Sequence, residues 1–137
     1  MVKTPNKPRS GCPISFGLEI FGDSFSLLIL RDVLLHGKRN FSAFLTSGEG
    51  IATNILTARL LRLEAAGLLR RDPSTQDGRR VSYGPTAAAL ALVPVLVELA
   101  YWGATHDPAT AAPPEFVQAY RADREGLVKS MTPPPES

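Results

Sequence analysis

One stretch of the chain spaces its polar and small side chains as a base-reading surface would. These are Thr53, Asn54, Thr57 and Ala58, with Arg59 and Arg62 close behind. An Asn amide presents a donor and an acceptor side by side, which matches the N6/N7 edge of adenine. An Arg guanidinium matches guanine or a phosphate, Thr bonds to either kind of group, and Ala is small enough to approach a thymine methyl. Farther along, Arg79 and Arg80 follow Asp77-Gly78, a strong hairpin-turn signal. Two guanidinium groups on such a tip suit the phosphates beside a groove, or a narrow A/T-rich minor groove with its concentrated negative potential. The competing reading is a merely solvated polar face, with arginine stems covering apolar surface. A basic hairpin directly after the polar helix favours double-stranded DNA as the partner.

Other chemistry finds little support. His36 and His106 stand in unrelated contexts, and no HExxH, GxSxG or phosphate-loop pattern occurs. No enzyme activity, metal or cofactor is therefore expected, and His36 reads as a cation complementing a helix carbonyl end. The single cysteine, Cys12, excludes an internal disulfide. Cys12 precedes Pro13 at the start of a helix, where the positive helix end and nearby Lys7 or Arg9 favour a thiolate. It is a candidate redox-sensing residue, weighed against a buried, inert cysteine packing the helix start.

A length of 137 residues with 44% hydrophobic content suits one domain with an ordinary core. No run of about 18 apolar residues and no signal peptide are read, so a cytoplasmic protein without membrane contact is expected. The net charge of +2 conceals an uneven distribution. Residues 31–80 hold nine Lys or Arg against five acids, whereas residues 81–137 hold three against six. A basic middle between near-neutral ends favours a polyanion.

These groups need a scaffold, and hydrophobic periodicity outlines one. Residues 1–11 read as a mobile basic arm. A short helix starts at Pro13, with Ile14, Leu18 and Phe21 on one face, and ends at Gly22. A second helix, Phe25 to about Leu35, is capped by Asp23 or Ser24, is apolar nearly all round, and stops at His36-Gly37. Residues 38–41 suggest one small strand, and Ser42 caps a brief helix from Ala43 to Thr46. The turn 47–50 leads to the clearest helix, 53–66, backed by Leu56, Leu60 and Leu63. Strands Leu68–Asp72 and Arg80–Gly84 flank the turn PSTQDG, so that hairpin 73–80 forms a wing. Pro85-Thr86 opens a long helix to about Ala104, which Pro94 should bend. Residues 107–114 form a linker, and one amphipathic helix covers 115–129 within a C-terminal segment 115–137. The element order is that of a winged helix-turn-helix: mainly α with a small β-hairpin, a three-helical core plus wing, occupying residues 12–106.

Four segments carry a resemblance to a known family: CPISFGLEIFGDSFSLLILRDVLLHGKRNFSAF, GIATNILTARLLRLEAAGLLRR, RRVSYGPT and LVPVLVELAYWG. In this order, across about Cys12 to Trp102, they resemble the HxlR-type transcription regulators, winged helix-turn-helix proteins related to the MarR group. The resemblance implies a homodimeric, sequence-specific DNA-binding regulator paired through its first and C-terminal helices. The expected role is a repressor on a pseudo-palindromic operator, with 53–66 in the major groove; the alternative is a winged-helix interaction module without DNA. Several such proteins are similar to redox or electrophile sensors with a cysteine at the place of Cys12, so an oxidant or small-molecule effector fits. Two departures stand out. Gly22-Asp23-Ser24-Phe25 replaces the family's frequent Gly-Gly-Lys-Trp, leaving Phe25 to fill the core. Ala52 replaces its common Ser, so the reading helix must be capped by Thr53 or the backbone. The stripe Leu92, Leu96 and Leu99, with Tyr101 and Trp102, exceeds what one small core must bury and motivates the dimer.

Overall fold

The computed structural model describes residues 2–4, 7, 9–73 and 81–136. Helix α1 (Pro13–Phe21) opens on Pro13, whose missing N–H costs nothing in a first turn, with Cys12 at its N-cap. Helix α2 (Ser26–His36) begins one residue later than expected, and Asp23 serves its start. The Asp23 Oδ2 accepts from the Phe25 and Ser26 amides at 3.0 Å each, and Oδ1 accepts from the Ser26 hydroxyl at 2.5 Å. Gly37 ends α2 in the left-handed conformation, with φ 65°. Helix α2 packs against several other elements, as its nearly all-round apolar sequence requires. Its buried Asp32 is paired with Arg31 at 3.0 Å and Lys38 at 3.7 Å.

No strand forms at 38–41. The Arg39 carbonyl instead accepts one bond from the Tyr83 amide, at 2.7 Å. Asn40, rather than Ser42, caps helix α3 (Phe41–Leu45), its Oδ1 accepting from the Ala43 amide at 2.9 Å. An Asn side chain in extended backbone satisfies an orphan first-turn amide two residues before the expected cap. Helix α4 (Thr53–Ala65) buries Leu56, Leu60 and Leu63 and is followed by Gly67, at φ 85°. Strand β1 (Leu69–Pro73) then pairs antiparallel with β2 (Val81–Pro85), Arg71 facing Tyr83. The hairpin turn, with Asp77-Gly78 and both Arg79 and Arg80, lies outside the described residues.

The expected long helix is two helices, α5 (Ala87–Leu90) and α6 (Val93–His106). The break precedes Pro94, which therefore sits in the first turn of α6, where a missing N–H leaves no hydrogen bond unmade. Thr86 caps α5, accepting from the Ala89 amide at 3.3 Å while donating to the Gly67 carbonyl at 2.7 Å. The stretch Ala87–His106 is long and apolar enough to cross a membrane, with mean hydropathy 1.7 over 18 of its residues, which corrects the expectation that no such run exists. Its inner residues Ala89, Val93, Leu96 and Val97 belong to the protein core.

The expected helix 115–129 is also divided, into α7 (Pro114–Ala122) and α8 (Arg124–Met131). Asp123 adopts φ −161° between them and caps α8, its Oδ1 accepting from the Gly126 amide at 3.0 Å. Phe116, Tyr120, Leu127 and Val128 pack against the core. Part of the arm read as mobile is tied down as well: Val2 packs on the core and the Lys3 amide donates to the Ala66 carbonyl at 3.0 Å.

Candidate nucleic-acid interface

Helix α3, a turn containing Gly48 and Gly50 (φ 85° and 69°), and α4 form a helix-turn-helix. Positive φ at both glycines lets the chain reverse without the steric cost another residue would meet. The leucines at 56, 60 and 63 hold α4 by one side, so the opposite side faces outward. That outward face carries Thr53, Asn54, Thr57 and Ala58, all exposed, together with Leu61 and Ala65. By the same helical period Glu64 falls in line with Thr57, but it is half-buried, with one carboxylate oxygen buried. The Thr57 hydroxyl donates to the Thr53 carbonyl at 2.9 Å, leaving its lone pairs outward.

Arg59 and Arg62 do not join this face. Both lie half-buried on the flank of α4. The Arg59 Nε pairs with Asp23 Oδ2 at 2.8 Å, and the Arg62 Nη2 donates to the Glu19 carbonyl at 2.9 Å. At 100° per residue Arg59 stands about 100° from Ala58, whereas Arg62, four residues after Ala58, borders the outward face and turns its guanidinium to α1. Their ordered roles are to fasten α4 to α1 and to the α1–α2 connection. Asp23 is the shared anchor. Partial burial pushes its carboxyl up, but hydrogen bonds from the Ser26 hydroxyl, the Phe25 amide, Arg59 and the Ser26 amide outweigh this and lower it from 3.8 to about 2. This positioning function escaped the sequence reading, which saw in Asp23 only a helix cap.

Ala52 occupies the N-cap of α4 with extended backbone and makes no side-chain cap bond. The expected substitute, Thr53, does not supply one either; the first α-helical bond, Leu56 amide to Ala52 carbonyl at 2.9 Å, comes from backbone. First-turn amides of such a helix point along its axis and carry partial positive charge. On the wing, Arg71 is exposed, whereas Arg70 is held by Asp72 at 2.9 Å and Glu136 at 3.8 Å.

A second surface lies on α1 and α6. Ile14, Leu18, Leu99 and Trp102 are 72%, 59%, 53% and 62% exposed, high values for large apolar side chains. Between the two helices opens a cleft of about 700 Å³, lined by Leu18, Phe21, Leu27, Val95, Leu99 and Trp102 among others. Helix α7 closes one edge. Its Tyr120 ring stacks on Tyr101, centroids 3.7 Å apart, and its hydroxyl donates to Glu98 at 2.8 Å. Arg124 donates to the same carboxylate, and these two bonds hold Glu98 below its usual range. Cys12 is exposed, its amide donating to the Ser10 hydroxyl oxygen at 3.2 Å. The Arg9 guanidinium expected beside it pairs instead with Glu19, at 3.0 Å.

Comparison with known proteins gives a consistent picture. The sequence profile described as HxlR-like helix-turn-helix matches residues 20–111. The chain is 29% identical over 127 residues to YybR of Bacillus subtilis (strain 168), an uncharacterised helix-turn-helix transcriptional regulator, covering 93% of this chain and 92% of YybR. Among solved structures, PA1607, a candidate transcription factor, superposes with a TM-score of 0.68 and 34% identity over 77% of this chain and 72% of that one. The redox regulator HypR in its oxidized form superposes with a TM-score of 0.65 and 26% identity, covering 72% of this chain and 100% of its own.

Proposed function

Because the chain belongs to the HxlR-like helix-turn-helix family, and is thereby a winged-helix transcription regulator rather than an enzyme, we propose that it reads duplex DNA as a homodimer with α4 in the major groove. The observation that carries this reading is the outward face of α4. Thr53, Asn54, Thr57 and Ala58 stand exposed in the first turns of the helix, which three buried leucines hold to the core. A helix so held fits a groove about 12 Å wide. Asn54 bonds adenine, Thr57 a base or phosphate, and the uncapped amides at Thr53 and Asn54 suit a backbone phosphate. The wing, through Arg71, Arg79 and Arg80, grips the flanking phosphates. Arg59 and Arg62 contribute by orienting α4.

Pairing follows from the α1–α6 surface. An apolar area of this kind marks protein association, and two-fold pairing sets two reading helices about 34 Å apart on successive major grooves. The operator is then pseudo-palindromic. Occupancy of that site is repression wherever it overlaps a promoter. Cys12, exposed at the amino end of α1 and so beside the pairing surface, is the redox- or electrophile-responsive residue; the likeness to HypR supports this reading.

Selection of bound duplexes from a random pool, followed by anisotropy titration across salt, tests the proposal. Enrichment of a two-fold symmetric site, with affinity falling steeply as salt rises, is the expected result. A protein that enriches no sequence is an interaction module instead. For the cysteine, Cys12→Ser should keep its operator bound in diamide while the wild type releases it; equal behaviour would remove Cys12 from the mechanism.

A further inference from the structure

Leu61 is 60% exposed, and neither sequence pattern nor family likeness assigns it a role. It does not line the cleft between α1 and α6. Its position is the outward face of α4. Seven residues separate it from Asn54, and at 100° per residue this returns it to within about 20° of the same line. Thr57 and Ala58 stand between them, three and four residues away, on the same side. A rise of 1.5 Å per residue puts Leu61 about 10 Å along the helix from Asn54, roughly three base-pair steps.

The composition of this row decides what it can recognise. Reading guanine in the major groove calls for Arg or Lys on its O6/N7 edge, and reading cytosine calls for an acceptor on its N4 amine. The exposed residues of this row include no cation and no carboxylate: Arg59 and Arg62 are drawn to Asp23 and the Glu19 carbonyl, and Glu64, in line with Thr57, is half-buried. What it offers is one amide, two hydroxyls and then three apolar side chains, Ala58, Leu61 and Ala65. The major-groove feature that an apolar side chain detects is the thymine C5 methyl.

We infer that Leu61, with Ala58, is a specificity-determining residue that reads a thymine methyl about three steps from the adenine bound by Asn54. This rests on the DNA-reading role proposed above. The half-site core is accordingly A·T-rich, and water leaves both the leucine side chain and the methyl when they meet. One buried methyl corresponds to about a fourfold change in affinity.

The test uses the full-length dimer and a duplex selected from a random pool, with each thymine replaced in turn by deoxyuridine, which lacks only the methyl. The wild type should lose about fourfold at one thymine per half-site, near the Asn54-sensitive adenine. Leu61→Ala should lose a similar factor on the thymine duplex and then be indifferent to deoxyuridine at that position. The substitution is at an exposed site, and an unchanged thermal melt verifies the fold. Equal deoxyuridine responses in wild type and Leu61→Ala, or none at any thymine, overturn the assignment while leaving DNA reading intact. Failure to enrich any duplex overturns the DNA-reading role and the Leu61 assignment together.

Discussion

Leucine is exposed on α1 and α6 and again on α4, and these two settings differ in what surrounds it. On α1 and α6 the exposed side chains are neighbours: Leu18, Leu99 and Trp102 line one cleft. On α4, Leu61 stands among Asn54, Thr57 and Ala58. A contiguous apolar surface gains most from meeting another of its kind, because every added side chain removes more water from both partners. A single leucine in a polar row gains little that way, yet it can discriminate a methyl group where the row itself meets hydrogen-bonding edges. Exposure alone is therefore uninformative; the chemistry of the surroundings separates the proposed pairing surface from the proposed reading surface.

The strongest way to break the comparison is to place charge on the first face. Leu18→Glu combined with Leu99→Glu should reduce the solution mass to that of a 14.7 kDa monomer by light scattering. Operator affinity should fall by about a hundredfold or more, since the second half-site is no longer reached by a tethered helix. The same change on a single half-site duplex should matter far less.

The next effect belongs to the reading face. Asn54→Ala should cost about 1–3 kcal/mol at selected base pairs and leave the dimer mass unchanged, as measured with a panel of operator variants. Loss of the dimer in that variant would mean that the two faces are not independent.

Asp23→Ala probes the link behind α4. It removes the bonds at the start of α2 and the partner of Arg59, and should lower stability by about 0.5–2 kcal/mol in denaturant titration. The pH dependence has a definite sign. Asp23 titrates near 2 in the fold against an ordinary 3.8, so its contribution is complete above about pH 4 and is lost as pH falls toward 2. The wild type should thus lose more stability than Asp23→Ala across that interval.

The smallest expected effect is at the wing. Arg79→Ala should weaken all duplexes alike and reduce the salt slope by about one. A sequence-dependent loss would move Arg79 from phosphate to base recognition.

Much of the architecture was legible in linear order. Pro13 marked the start of α1, Gly37 the stop of α2, and the leucines at 56, 60 and 63 the buried side of α4, because these are local requirements of backbone geometry and helical period. The misreadings share a cause. Asn40 and Ser42 were both competent caps, and the backbone used the earlier one. Pro94 was compatible with a kink inside one helix or with the first turn of a new one, and the chain broke before it. The residues at Asp123 read as continuous helix until an extended conformation there supplied a cap to α8.

The amino-acid order alone determined which helix has a leucine back and a polar front, where the hairpin falls and that no catalytic constellation is spelled out, since period, turn chemistry and motif spacing act over a few residues. Only the tertiary structure decided the fate of the arginines. Arg59 finds its carboxylate 36 positions away and Arg62 its carbonyl 43 positions away. A guanidinium on a long flexible stem takes whichever acceptor the fold brings near, and no local pattern records that choice.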